Sequence, residues 1–114
     1  MKREFLDYVE DIIDAMTKAR SFTADMEWES FSKDDKTLFA VIRAIEIIGE
    51  AAKKIPQDVK ARYPDIPWQD MAGMRDKLIH EYFGADHKTI WDTVRKDIPA
   101  LLPLFEKISA DYSV

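Results

Sequence analysis

The sequence predicts an all-α protein, an up-and-down helical bundle. Two observations carry that prediction. Apolar residues recur every three or four positions along long stretches of the chain, the period of one helix face. Prolines and caps punctuate those stretches, with no flexible Gly/Ser linker and no internal repeat between them. A length of 114 residues fits one domain, 1–114. With 46% hydrophobic residues the chain has the make-up of an ordinary globular protein. A bundle this small buries a modest core and often gains stability by dimerising.

The first helix is expected over residues 2–20, where Phe5, Val9, Ile12, Ile13 and Met16 share a face between acidic and basic positions. Residues 21–31 are less regular. Phe22, Met26, Trp28 and Phe31 predict a short helix or turn that folds its aromatics over the core. Ser32 is an apt N-cap, with Asp34 and Asp35 in a favourable first turn. The helix that follows should run over residues 34–55 and stop at Pro56. It is apolar on two sides. Leu38, Val41, Ile42, Ile45, Ile48, Gly49 and Ala52 form the main stripe. Ala40, Ala44, Ile47 and Ala51 form a narrow second one, mostly of small residues, that could receive another helix or a second subunit closely. Arg43, Glu46 and Glu50 run between the stripes. They either form a local ion pair or bring Glu46 or Glu50 to a cation on the neighbouring helix.

Residues 56–67 form a connector with three prolines and one helical turn near 58–62. Trp68 should enter the core. After Gly84, Asp86 is a suitable N-cap for a helix whose apolar side is Ile90, Trp91 and Val94, with His87 exposed at its start. Pro99 starts or kinks a last helix with Leu101, Leu102, Leu104, Phe105 and Ile108 in the core.

Composition narrows the function. There is no cysteine, which excludes disulfides and thiolate metal sites and fits a reducing, cytoplasmic setting. Two histidines without clustered acids give no metal signature, and no cofactor-binding glycine loop is present. The charged start MKREFLDYVEDII is not expected to be a signal peptide, and no apolar run approaches a membrane span. A net charge of −5 has the wrong sign for nucleic-acid binding through the overall field, so such binding would need a local basic cleft.

Chemistry concentrates in residues 71–84, MAGMRDKLIHEYFG. Pro67 suits the first turn of a helix here and Gly84 the position past its end. At about 100° per residue, Met71, Met74, Leu78 and Tyr82 line one apolar stripe, and Arg75 falls inside it. A cation on that side needs a partner. His80 lies roughly 140° away. Asp76, four residues before it, is a helical neighbour able to orient the ring and favour its charged form. Spacing alone leaves the bland alternatives open: a snorkelling arginine, an unremarkable histidine and a core tyrosine.

The arrangement Arg-x4-His-x-Tyr, set in IPWQDMAGM–RDKLIHEY–FGADHKTIWDTV and preceded by AIEIIGEAAKKIP, resembles the HepT-like toxins of the HEPN superfamily over nearly the whole chain. That family commonly has Asn after the arginine, where this chain has Asp76. The resemblance implies a homodimeric, metal-independent ribonuclease with Arg75 and His80 in a cleft at the dimer interface. It further implies a nucleotidyltransferase-like (MNT) antitoxin able to transfer AMP to Tyr82. RNA would be the substrate, and no cofactor and no membrane would be involved. Asp76, Glu46 and Glu50 would support the site. A competing expectation is a non-enzymatic helical module that docks a nucleotidyltransferase or a nucleotide, which sits comfortably with the charge of −5 and with Asp76.

Overall fold

The computed structural model of the chain describes residues 4–81 and 87–113, and the side chains of all of these except 75–81. The described chain is helical, and among the described residues there is no strand. Helix α1 spans Phe5–Thr23, α2 Trp28–Ser32, α3 Asp35–Lys54, α4 Gln57–Arg62, α5 Trp68–Glu81, α6 His87–Asp92 and α7 Ile98–Asp111, with a π-helical turn at Thr93–Asp97 joining the last two. This is the all-α bundle that the periodicity predicts.

The caps explain the boundaries. Asp7 accepts a hydrogen bond from the Glu4 backbone N–H at 3.2 Å and closes the first turn of α1. The expected Ser32 cap is not the one used. Ser32 ends α2, its hydroxyl donating to the Glu29 carbonyl at 2.8 Å. Asp34 caps α3 instead, accepting from the Thr37 N–H at 3.0 Å and the Thr37 hydroxyl at 2.8 Å. A carboxylate two positions later wins because it takes both Thr37 donors, and these hold its carboxyl below the usual range.

Helices α1 and α3 form the centre of the bundle. Lys54 at the end of α3 lies over the Tyr8 ring at the start of α1, so the two run antiparallel. Val9, Ile12, Met16, Val41, Ile45 and Ile48 are fully buried between them and their neighbours. Helix α5 packs on α3, and α7 packs on α1. Trp68 is half-buried, with its edge on Phe105 at 5.5 Å and its indole N–H donating to the Tyr63 carbonyl at 3.1 Å. Helix α6 touches α2, so α5 carries the chain from the α4 end of the bundle back to the α2 end.

The aromatic lid over the core is real but differently made. Phe31 and Trp91 meet at 5.0 Å, and Trp28 sits 6.4 Å from each. Phe22 takes no part: it stands 45% exposed on the last turn of α1, which runs three residues beyond its expected end. The π-helical turn was not legible in the sequence. The Ile98 N–H reaches back to the Thr93 carbonyl, and this wide turn precedes Pro99, whose missing N–H cannot continue a normal ladder. Pro99 stands in the first turn of α7, where a missing N–H is tolerated, so it starts the last helix as expected.

Candidate functional site

Helix α5 is the scaffold of the candidate site. Its backbone is helical from Trp68 to Glu81, so Arg75, Asp76 and His80 lie on one unbroken helix. Pro67 precedes it, its carbonyl accepting from the Met71 N–H at 3.0 Å. The helix has distinct sides. Met71 is fully buried and Met74 packs against the core, whereas Gln69 and Gly73 are exposed. By helical period, position 75 falls about 40° from Met71, on the inward flank, and positions 76 and 80 fall within about 20° of Gln69, on the outward one. The inward Met71 and Met74 match the apolar stripe expected from the sequence. The Arg75, Asp76 and His80 side chains, Tyr82, Gly84 and Asp86 lie outside the described residues.

Glu46 and Glu50 stand on α3, the helix against which α5 packs. Glu46 lies 3.7 Å from Arg43, the local pair allowed by their spacing. Arg43 is largely exposed there, so the pair contributes little to stability. Glu50 instead lines a groove between α1 and α3. A contact of either glutamate with Arg75 lies outside the described residues. The structure thus brings Glu46 to Arg43.

The α1–α3 groove encloses about 570 Å³. Its floor is the small-residue stripe: Ala40, Ala44, Ile47 and Ala51, joined by Ala15 of α1. Helix α1 covers one flank of the stripe, which is why Ala44 and Ala51 are only 5% exposed, while the rest stays open. Charges of both signs line the groove: Asp11, Glu50 and Lys54 toward the Tyr8 end, and Arg43 and Lys18, the latter paired with Asp14, toward the Phe22 end.

Beyond the motif, α6 is firmly seated. The Arg95 guanidinium stacks 4.3 Å from the Trp91 ring centre and donates to the Thr23 carbonyl at 2.7 Å and to the Met26 carbonyl. It ties the end of α1 to the π-helical turn across 72 residues of sequence. Nothing in the local sequence signals this anchor, because its acceptors are main-chain carbonyls. His87, expected at the surface, is half-buried at the start of α6. Among the described residues, no group of three His, Cys, Asp or Glu side chains could hold a metal ion, and no helix is long and apolar enough to cross a membrane.

The chain is similar to known proteins over most of its length. The family model described as "Ribonuclease HepT-like" matches residues 12–108, a span that contains all of α5. A relative from Thermococcus cleftensis named "Probable ribonuclease HepT" is 56% identical, covering 95% of this chain and 98% of that protein. A Methanocaldococcus jannaschii protein named "Putative RNase MJ0125" is 47% identical, covering 96% of this chain and 95% of its own length. No solved structure matches the chain.

Proposed function

Because the chain belongs to the HepT-like ribonuclease family, we propose that it is a metal-independent RNA endonuclease, and that it acts as the toxin of a toxin–antitoxin pair. The observation that supports this reading is the family match over residues 12–108, which spans the unbroken helix α5 carrying positions 75, 76 and 80. The chemistry needs only two groups. An RNA 2′-hydroxyl attacks the adjacent phosphorus, the bond to the 5′-oxygen breaks, and a 2′,3′-cyclic phosphate and a 5′-hydroxyl result. His80 moves the proton between these oxygens, with Asp76 orienting the imidazole. Arg75 stabilises the charge that builds on the phosphate oxygens.

Positions 75 and 80 diverge by about 140° around the helix, so one chain makes a poor site and a two-fold dimer a better one. The α1–α3 groove supports such a dimer. Its floor of small residues, Ala40, Ala44 and Ala51, would let a second copy approach closely. The supporting glutamates and the cytoplasmic setting belong to the same proposal, as does the nucleotidyltransferase antitoxin that modifies Tyr82.

The test is cleavage of single-stranded RNA by the purified protein with and without EDTA. Cleavage is expected to be EDTA-insensitive and to yield cyclic phosphate ends. It should fall at least 100-fold in His80→Ala, as expected for removal of a general acid–base group, with the helical circular dichroism unchanged. Loss of cleavage in EDTA, restored by a divalent ion, would overturn the mechanism. The net charge of −5 favours a second reading, a non-enzymatic module that docks a nucleotidyltransferase or a nucleotide; it requires that no RNA be cut at all.

A further inference from the structure

We infer that the groove between α4 and α5 is the track that holds single-stranded RNA beside the cleavage site. This rests on the ribonuclease reading for the class of ligand. The groove encloses about 430 Å³ and is lined by Gln57, Lys60, Ala61, Trp68, Gln69 and Ala72. Each polar member suits a nucleotide chain. Lys60 is a cation for a backbone phosphate. The carboxamides of Gln57 and Gln69 offer both donors and acceptors to base edges or a 2′-hydroxyl. The wall is rigid, because Trp68 is locked by its contact with Phe105 and its bond to the Tyr63 carbonyl, and the Lys60 ammonium lies 5.9 Å from the indole ring centre.

The groove also points the right way. Gln69, Gly73, Asp76 and His80 fall within about 60° of one another around the α5 axis. Through Gln69 the groove borders the flank of α5 that carries the proposed proton-transfer position, while Trp68 and Ala72 line its other side. From Ala72 to His80 the helix rises about 12 Å, or roughly three nucleotides of a stacked strand. Gly73 lies between them. It is exposed, and a Cβ placed there would meet no atom within 4 Å. A glycine inside a helix is ordinarily a cost; here it leaves the lane between groove and motif open. In a chain of net charge −5, a lysine fixed at the head of that lane is a local cationic foothold for RNA.

The experiment measures binding of a fluorescein-labelled 12-nucleotide single-stranded RNA by anisotropy at several salt concentrations, with the full chain carrying His80→Ala to prevent cleavage. Lys60→Glu should weaken binding about tenfold and lower the slope of log Kd against log salt by about 0.7, one phosphate contact on a single strand. Gly73→Phe should block the lane and weaken binding about tenfold without lowering the thermal midpoint. Gly73→Ala and Lys33→Glu, the latter at the far end of α3, should bind within twofold of the parent. Parent-like binding by Lys60→Glu and Gly73→Phe would overturn the track, as would equal weakening by Lys33→Glu or failure of the parent to bind RNA. Cleavage of RNA by the native chain alongside unaffected Lys60→Glu and Gly73→Phe variants would refute the track and leave the ribonuclease standing. RNA binding that needs Lys60 and Gly73, in a native chain that cuts nothing, would do the reverse.

Discussion

The Tyr63 hydroxyl donates to the Asp111 carboxylate at 2.8 Å, joining the end of α4 to the end of α7 across 48 residues of sequence. Lys107 donates to the same carboxylate oxygen at 2.8 Å, and Arg62 donates to the Tyr112 hydroxyl beside it. This latch holds the last turn of the chain against the connector that leads into α5.

The latch should give stability a pH dependence at both ends. Lys107 first, and Tyr63 second, hold the Asp111 carboxyl below its ordinary value. Its contribution is therefore present above about pH 4 and lost as pH falls through the lowered folded value. Desolvation first, and Asp111 second, push the Tyr63 hydroxyl up to about 12. That contribution is full below about pH 10 and lost as pH rises through 12. Thermal midpoints across pH should show a flatter acid limb in Asp111→Asn and a flatter alkaline limb in Tyr63→Phe. Limbs identical to the native protein's would mean that the latch carries no linkage.

Arg95 should matter through its hydrogen bonds more than its charge. Arg95→Ala removes the donors to the Thr23 and Met26 carbonyls and the stack on Trp91, and should cost about 1 kcal/mol in urea unfolding. Arg95→Lys keeps the charge but not the planar fork, and should recover less than half of the loss. Full recovery by lysine would show that charge alone is at work.

A homodimer should be seen by sedimentation at micromolar concentration. Phe22→Glu puts a charge on the rim of the α1–α3 groove at a residue that is 45% exposed in the single chain, so folding should be unaffected. The expected outcome is a monomer of unchanged helicity that has also lost RNA cleavage. A monomeric native protein, or a Phe22→Glu dimer, would remove this groove as the interface.

Tyr82 should be the acceptor of AMP from a partner nucleotidyltransferase. The added phosphate would compete with RNA phosphate for Arg75 through a charge-assisted hydrogen bond, and the nucleotide would fill the cleft. Intact mass after co-expression should rise by one or more AMP units, and Tyr82→Phe should stay unmodified. Full neutralisation at an unmodified mass would establish steric inhibition instead.

The fold was legible in the sequence wherever one short-range pattern decided it. The two-sided helix from Asp35 to Lys54 follows from its apolar spacing and Pro56, and α4 appears where a single turn was expected. The helix that carries Arg75, Asp76 and His80 was equally legible, since its apolar spacing and Pro67 mark it. The cap of α3 was misread because Ser32 and Asp34 are both good caps by type, and only the position of Thr37 in the folded turn chooses between them. Phe22 was misplaced for a related reason: its side chain follows the true end of α1, which the local pattern left three residues short.

The sequence by itself determined the helices, their buried faces and the order of chemical groups along α5, because each depends on neighbours within a turn or two. Only the tertiary structure decided what lies beside them. It paired Tyr63 with Asp111, sent Arg95 to the carbonyls of Thr23 and Met26, opened the groove over Ala44 and Ala51, and laid Lys60 alongside Gln69. These relations depend on how helices pack across tens of residues, and no local period encodes that packing.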